Sequence, residues 1–316
     1  MYLGIDFILS SEQKPYVIEV NVGLPGGAQE YHLTHLVRFG RPSTIFDRIE
    51  ETSHRVYGRS FRDYLFSLPH IQILKPFKIW MDGQGPFLEA FHPGLRLEDK
   101  WVQYQLLKPV APMPETQVFD PENLKDAESF LQKKGKIAFK RRLGRGGMDF
   151  RIIEDFSILS AVGVENRPSI LQEYIESKVE EWTLSIRSIA FGGEFMCMYA
   201  NLSNRAYSNH GYLTFISEAD VFGLSEKTFK TESFNQKSWE AEIWFGEETP
   251  PYLHHNLYED EVAETTLYLP VSVSNRIRNL SVRIERFYEG LDLATLPEAC
   301  FEPLTLPLLP KGREMG

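Results

Sequence analysis

The stretch that decides the fold is LGIDFILSSEQKPYVIEVNVGLPGG, Leu3 to Gly27. Two runs rich in Ile, Val, Phe and Tyr, residues 3–9 and 15–22, flank the polar turn Ser10-Ser11-Glu12-Gln13-Lys14, which predicts a β-hairpin. Side chains alternate faces along a strand, so Glu19 and Asn21 share one face while Ile18 and Val20 share the other. A turn centred between Glu12 and Gln13 sets Asp6 opposite Glu19. Their Cβ atoms are then roughly 5 Å apart, where like charges repel. A divalent cation would offset that repulsion, and carboxylate and amide oxygens suit Mg²⁺. A solvated acidic surface hairpin explains the same spacing, and on spacing alone it is the more frequent case.

Around this hairpin the chain has 316 residues, enough for two or three packed units. Hydrophobic residues make up 42% and charged residues 25%, as in ordinary globular proteins. The formal charge of −10 argues against a general nucleic-acid binder, because such affinity comes from Lys and Arg neutralising phosphates. Cys197 and Cys300 are too few for a disulfide framework and lack zinc-ligand spacing. No basic segment precedes an apolar run at the N-terminus, and no apolar window approaches about eighteen residues. A cytoplasmic protein without a membrane span is the expectation.

Further along, Pro42-Ser43 opens a predicted helix capped by Ser43, with Ile45, Phe46, Ile49 and Val56 on one face. A strand pair is expected within 70–90, a short helix over 95–107 and a proline-rich connector over 110–116. Residues 117–174 then alternate: strand 117–119, helix 121–134, strand 136–140, a glycine loop, strand 150–153, a helix and strand 170–174. Strands continue over 182–200, and 201–260 reads as polar and irregular. Ile277, Leu280, Ile284, Phe287 and Leu291 form an apolar stripe, which predicts an amphipathic helix over 274–289. The class is α/β or α+β in several layers.

Four strings carry possible chemistry. Beside the hairpin stands KIAFKRRLGRGGMDF (136–150), a strand bringing up Lys140 and a loop with Gly144, Gly146 and Gly147. Backbone N–H groups of such a loop can close on an anion while lysine adds a point charge. Taken alone, a glycine-rich basic hairpin is more often just a turn. The others are ILQEYIESKVEEWTL (170–184) and EDKWVQYQLLKPVAP (98–112), which offers Lys100 at a helix start. His32 and His35 have helical spacing but no third ligand, His254-His255 reads as solvated, and Cys197 reads as core.

Together the four strings resemble the ATP-grasp ligases, as in D-alanine–D-alanine ligase and glutathione synthase. Asp99-Lys100 with Val110-Ala111-Pro112 is similar to the family's helix start and connector. Phe139-Lys140 with Leu143–Gly147 is similar to its Lys-Pro strand and flexible loop, although Arg141 replaces the proline. Gln172–Ile175 resembles the adenine hinge, and Glu181-Trp182-Thr183-Leu184 the string after it. Asp6-Phe7, Glu19-Val20-Asn21 and Pro25-Gly26 resemble the metal motif. In ordinary members that motif comes last and here it comes first, so the resemblance is to a circularly permuted ATP-grasp.

The resemblance implies a nucleotide held between two α+β subdomains, with a pre-ATP-grasp-like domain. It divides the chain into a metal-binding hairpin (1–30), a pre-ATP-grasp-like or substrate domain (31–110), a lid subdomain (111–176) and a core subdomain (177–316). Asp6, Glu19 and Asn21 would hold one or two Mg²⁺, with Mn²⁺ as a substitute. Lys100 and Lys140 would contact ATP phosphates under the loop of Gly144, Gly146 and Gly147. Backbone groups of Glu173, Tyr174 and Ile175 would meet adenine, and Glu181 the ribose. The family places an arginine two residues before the metal aspartate, where this chain has Gly4; Arg205 or Arg187 is expected to supply that charge. The implied activity is ADP-forming ligation of a small-molecule or peptide carboxylate to an amine or thiol, through an acyl phosphate. A non-catalytic nucleotide binder and a small-molecule kinase are the alternatives. Neither nucleic acid nor membrane is an expected partner, and a homodimer stays open.

Overall fold

The structure is a computed structural model that describes residues 1–22, 25–68, 97–143, 150–162, 168–204, 211–226, 230–235, 246 and 259–292. The first elements are β1 (Leu3–Leu9), β2 (Pro15–Asn21), α1 (Ala28–Phe39), α2 (Ile45–Tyr57), α3 (Phe61–Ser67) and α4 (Lys100–Leu107). Then follow β3 (Thr116–Phe119), α5 (Leu124–Lys134), β4 (Ile137–Arg141), β5 (Arg151–Ile153), α6 (Phe156–Val162) and β6 (Ser169–Glu173). The remainder is β7 (Lys178–Val179), β8 (Trp182–Phe191), β9 (Glu194–Ser203), β10 (Tyr212–Ala219), β11 (Gly223–Leu224), β12 (Thr231–Asn235), β13 (Glu259–Pro270) and α7 (Val271–Glu289).

These elements make a mixed α+β protein with two sheets. The larger has nine strands in the order β11-β13-β10-β9-β8-β1-β2, with β12 on β13 and β7 on β8. The smaller is β3-β6-β4-β5, all antiparallel, contributed by residues 116–173. Its core is Phe119, Phe130, Leu131, Ile137, Phe139, Ile153, Leu159 and Leu171, from both its strands and its two helices.

Strand β1 is enclosed by β2 and β8, and its odd-numbered residues Leu3, Ile5, Phe7 and Leu9 are buried in one core with Ile277, Ile284 and Tyr288 of α7. The even-numbered residues Gly4, Asp6 and Ile8 take the opposite face. The expected helix therefore forms, beginning three residues earlier, and lies on the sheet that contains β1. Its last turn meets the head of the chain: the Met1 amino group pairs with Glu285 and Glu289. Helices α2 and α3 cover the β8–β9 region through Ile45, Ile49, Phe61, Tyr64 and Leu65, and α1 lies over β9, β10 and β13 through Leu33. Cys197 is buried there, as expected for core.

Three expectations need correction. Residues 212–219 and 259–270 are strands, β10 and β13, paired in parallel with a register shift at Thr214/Phe215. That shift and the acidic head of β13 hide the period of two from the sequence. Helix α2 starts at Ile45 after Thr44, which makes no side-chain cap, while the Ser43 hydroxyl lies 3.1 Å from His32 Nδ1. Val56, expected on the apolar face, borders the Gly192 turn and is 45% exposed, while its neighbour Tyr57 stacks on Phe191 of β8. The expected strand pair within 70–90, His254-His255 and Cys300 lie outside the described residues.

Candidate functional site

Asp6 is the Cα partner of Glu19 on β2 and of Arg187 on β8, so three charged residues form one row across three strands. The expected pairing holds from Gly4 to Asp6. Between Asp6 and Phe7 the register shifts, Ile18 becomes the extra residue, and Val17 rather than Ile18 faces Phe7. This β-bulge sends both Val17 and Val20 into the core and leaves Glu19 on the face of Asp6. Strict alternation along the sequence does not reveal it.

The two carboxylates turn apart. The Arg187 guanidinium holds Asp6 in a fork, Nε on Oδ1 and Nη2 on Oδ2 at 2.9 Å, and its Nη1 donates to the Gly26 carbonyl at 2.9 Å. Asn21 Nδ2 donates to Asp6 Oδ2 at 3.3 Å. A Cβ on Gly4 would lie 3.2 Å from Arg187 Nη1, so the arginine of β8 covers the position where the resembled family carries one on β1. Of the two expected arginines, Arg187 is therefore beside Asp6, and Arg205 lies outside the described residues. Burial pushes the Asp6 carboxyl above its ordinary value, with Arg187 pulling against it. Burial opposes the Arg187 charge as well, but Asp6, with Tyr199 and Glu30, more than offsets this and raises it.

Glu19 is met from the other side by Lys100. Asp99 caps α4 by accepting from Trp101 N at 2.8 Å, which starts the helix with Lys100. The segment then docks along the open edge of β2. Gln103 brackets Val20, accepting from its N–H at 3.0 Å and donating to its carbonyl at 2.6 Å; Glu98 accepts from Val22 N at 2.7 Å. Edge strands expose unpaired backbone groups, and these side chains supply the missing partners. So anchored, Lys100, only 8% exposed, reaches Glu19 Oε1 at 3.0 Å. Burial pushes Glu19 up, but Lys100, then Lys140 and Arg187, bring it below its ordinary value.

Lys140 comes from the smaller sheet. Its ammonium donates to Gln172 Oε1 at 2.7 Å, and Gln172 Nε2 donates to Thr116 Oγ1 at 3.0 Å, a relay across β4, β6 and β3. Burial, together with the nearby Lys100, lowers it to about 8 despite the attraction of Glu19 and Asp6. The two sheets thus bring Asp6, Glu19, Lys100 and Lys140 within electrostatic reach of one another. A sealed ion pair ties the junction: Arg142, 2% exposed, holds Asp99, 0% exposed, through Nε at 3.0 and 2.9 Å and Nη2 at 2.6 Å. The Lys100 N–H donates to the Arg142 carbonyl at 3.0 Å.

Other expected residues are placed as follows. Gly144, Gly146 and Gly147 lie outside the described residues. The N–H groups of Glu173 and Tyr174 donate to the carbonyls of Glu115 and Lys136, and the Glu173 carboxylate pairs with Lys134. Ile175 follows them, half-buried. Glu181 sits exposed on the β7–β8 turn. His32 and His35 serve locally, His35 Nδ1 lying 3.1 Å from the Arg41 carbonyl.

As a metal site the donor set fits in kind and is partly occupied. Glu19 Oε2 and Asn21 Oδ1 accept no hydrogen bond from a described residue, whereas both Asp6 oxygens are held by Arg187. The repulsion that predicts a cation is offset here by Arg187 and Lys100. Among the described residues no three His, Cys, Asp or Glu side chains converge as a metal-binding group, the expected set relying on an asparagine. Sequence reasoning missed Gln103, Arg142 and Glu30, and it named Gln172 and Asp99 without their partners, Lys140 and Arg142. Glu30, in the first turn of α1, is raised by burial and lies near Arg187 and Asp6. Asp99 and Arg142 adjoin recognised residues, but no local signal pairs positions 43 apart.

No protein-family model matches the chain, and no curated protein matches it in sequence. Among the described residues no helix is long and apolar enough to cross a membrane.

Proposed function

We propose that the protein is an ATP- and Mg²⁺-dependent, ADP-forming ligase of a carboxylate and an amine or thiol, built on a circularly permuted ATP-grasp arrangement. The observation that carries the reading is the meeting of Asp6 and Glu19 on one sheet with Lys140 on another and Lys100 between them. Carboxylates able to hold a cation facing lysines able to hold phosphates is the charge distribution that phosphoryl transfer needs. The order of the chain supports the permuted reading, since α7 ends against the residues that lead into β1.

In the proposed reaction a substrate carboxylate oxygen attacks the γ-phosphorus, the bond to the β-γ bridging oxygen breaks, and ADP leaves. The amine or thiol then attacks the acyl carbon, phosphate leaves, and the nucleophile loses its proton. Lys100 and Lys140 bind the phosphate oxygens and Gln172 aims Lys140. Arg187 supplies positive charge on the carboxylate side, and Asp6, Glu19 and Asn21 would hold Mg²⁺, which would supply further positive charge for the transferred phosphoryl group. Glu173, Tyr174 and Ile175 border the adenine and Glu181 the ribose.

A screen for ADP release with pooled amino acids, polyamines and small peptides tests this. Dependence on one pool and on Glu19 supports it; nucleotide binding without ADP release under any pool favours a second reading. That reading, a nucleotide binder without turnover, draws on one observation, that both Asp6 oxygens are already taken by Arg187.

A further inference from the structure

Among the described residues two aspartate–arginine pairs stand in very different settings. Asp99–Arg142 is sealed, with side chains 0% and 2% exposed. Asp6–Arg187 is reachable, at 17% and 22%, and stands across the hairpin from Glu19. A cation on Asp6 needs one of its oxygens at about 2.1 Å, with near-octahedral freedom around the ion. The guanidinium fork lies on both oxygens, and a second positive group on the same carboxylate is repelled in so desolvated a site. Arginine and metal therefore compete for Asp6.

We propose that Arg187 is an exchangeable counter-ion, holding Asp6 in the metal-free protein and yielding it to the divalent cation, which frees the guanidinium for the anionic ligand. This rests on the nucleotide–metal reading above and deepens it. Glu19–Lys100 is a parallel case: Lys100 occupies Oε1, and Oε2 accepts no hydrogen bond from a described residue. Metal arriving alone would strip half-buried Arg187 of Asp6 and leave it the Gly26 carbonyl and the nearby Glu30. A polyphosphate arriving alone would draw Lys100 and Arg187 away and leave Asp6 and Glu19, neighbours across the hairpin, repelling each other. Arriving together, they exchange two internal pairs for two new ones. Metal and nucleotide must then bind with positive coupling, and that coupling runs through Arg187. Gly4 and Pro25 pack beside Nη1, so a side chain at residue 4 would press on the guanidinium.

The test is Mn²⁺ binding, followed by the electron paramagnetic resonance of free Mn²⁺, to the wild type and to Arg187→Gln, each with and without ADP. Without ADP the variant should bind Mn²⁺ roughly tenfold or more tightly than the wild type, the competitor being gone. ADP should tighten Mn²⁺ strongly in the wild type and much less in the variant. If the variant binds Mn²⁺ equally or more weakly, the exchange is overturned while the nucleotide–metal reading stands. If neither protein binds Mn²⁺ even with ADP, both fall together. Should the variant not fold, ¹⁵N-arginine hydrogen exchange on the wild type decides. Saturating Mg²⁺ and ADP should expose the Arg187 Nε–H and leave that of Arg142 protected; undiminished protection of Arg187 overturns the proposal.

Discussion

Replacing Lys140 by methionine separates a functional lysine from a structural one. Lysine ordinarily titrates near 10.5, and here burial holds it at about 8. Each pKa unit is about 1.4 kcal/mol, so the environment disfavours the charged form by about 3 kcal/mol at neutral pH. Methionine removes that penalty and keeps the apolar stem, but it leaves Gln172 Oε1 without the donor at 2.7 Å, a loss of about 1–2 kcal/mol. Urea denaturation at pH 7 should find Lys140→Met at least as stable as the wild type, or within about 1 kcal/mol of it. Nucleotide affinity, measured by calorimetry with Mg²⁺ and ATP, should fall roughly ten- to a hundredfold, the value of one charge-assisted phosphate contact. The sign of the pH dependence follows from the depressed pKa. Between pH 8 and about 10.5 the unfolded chain holds this proton and the folded protein does not, so wild-type stability from this group rises with pH across that window. The stability difference between variant and wild type should therefore move in favour of the wild type from pH 7 to pH 10. A variant that loses several kcal/mol of stability in step with its affinity, with no pH dependence in the difference, would refute this account and make Lys140 structural.

Glu19→Ala should lower ADP formation by about two orders of magnitude or more while the melting curve stays cooperative; undiminished ADP production removes the metal assignment. Asp99→Asn keeps a capping side chain but leaves Arg142 buried without its counter-ion, which should cost about 3–5 kcal/mol in chemical denaturation. A loss under about 1 kcal/mol would show that water reaches Arg142. In Gly4→Ala the new Cβ falls 2.5 Å from Pro25 Cβ and 3.2 Å from Arg187 Nη1. The variant should lose about 1–3 kcal/mol and bind the Mg²⁺–nucleotide pair more weakly; wild-type behaviour in both would mean the Pro25 loop moves freely.

Elements defined by local periodicity were legible in the sequence. The hairpin of Asp6 and Glu19, the β/α alternation of residues 116–173 and the helix of Ile277 and Ile284 all rest on side-chain spacing within one segment. Spacing fixes which residues share a face, because strand and helix geometry are local. It misled where the chain departs from uniform period, at the bulge beside Ile18 and at the register shift of β10 on β13, and at Ser43, whose hydroxyl meets His32 instead of capping α2.

What only the tertiary structure decided is which charges compensate which. Asp6 and Arg187 stand 181 residues apart, Glu19 and Lys100 81 apart, and nothing in either segment specifies its partner. The acidic hairpin by itself asks for positive charge, and the sequence suggests a metal. Strand order brings β8 beside β1 and supplies an arginine instead; the edge of β2, satisfied by Gln103 and Glu98, supplies a lysine. A charge's need is written in its own neighbourhood, since repulsion and desolvation are local. Its answer depends on which distant strand or helix the packing of the core brings alongside.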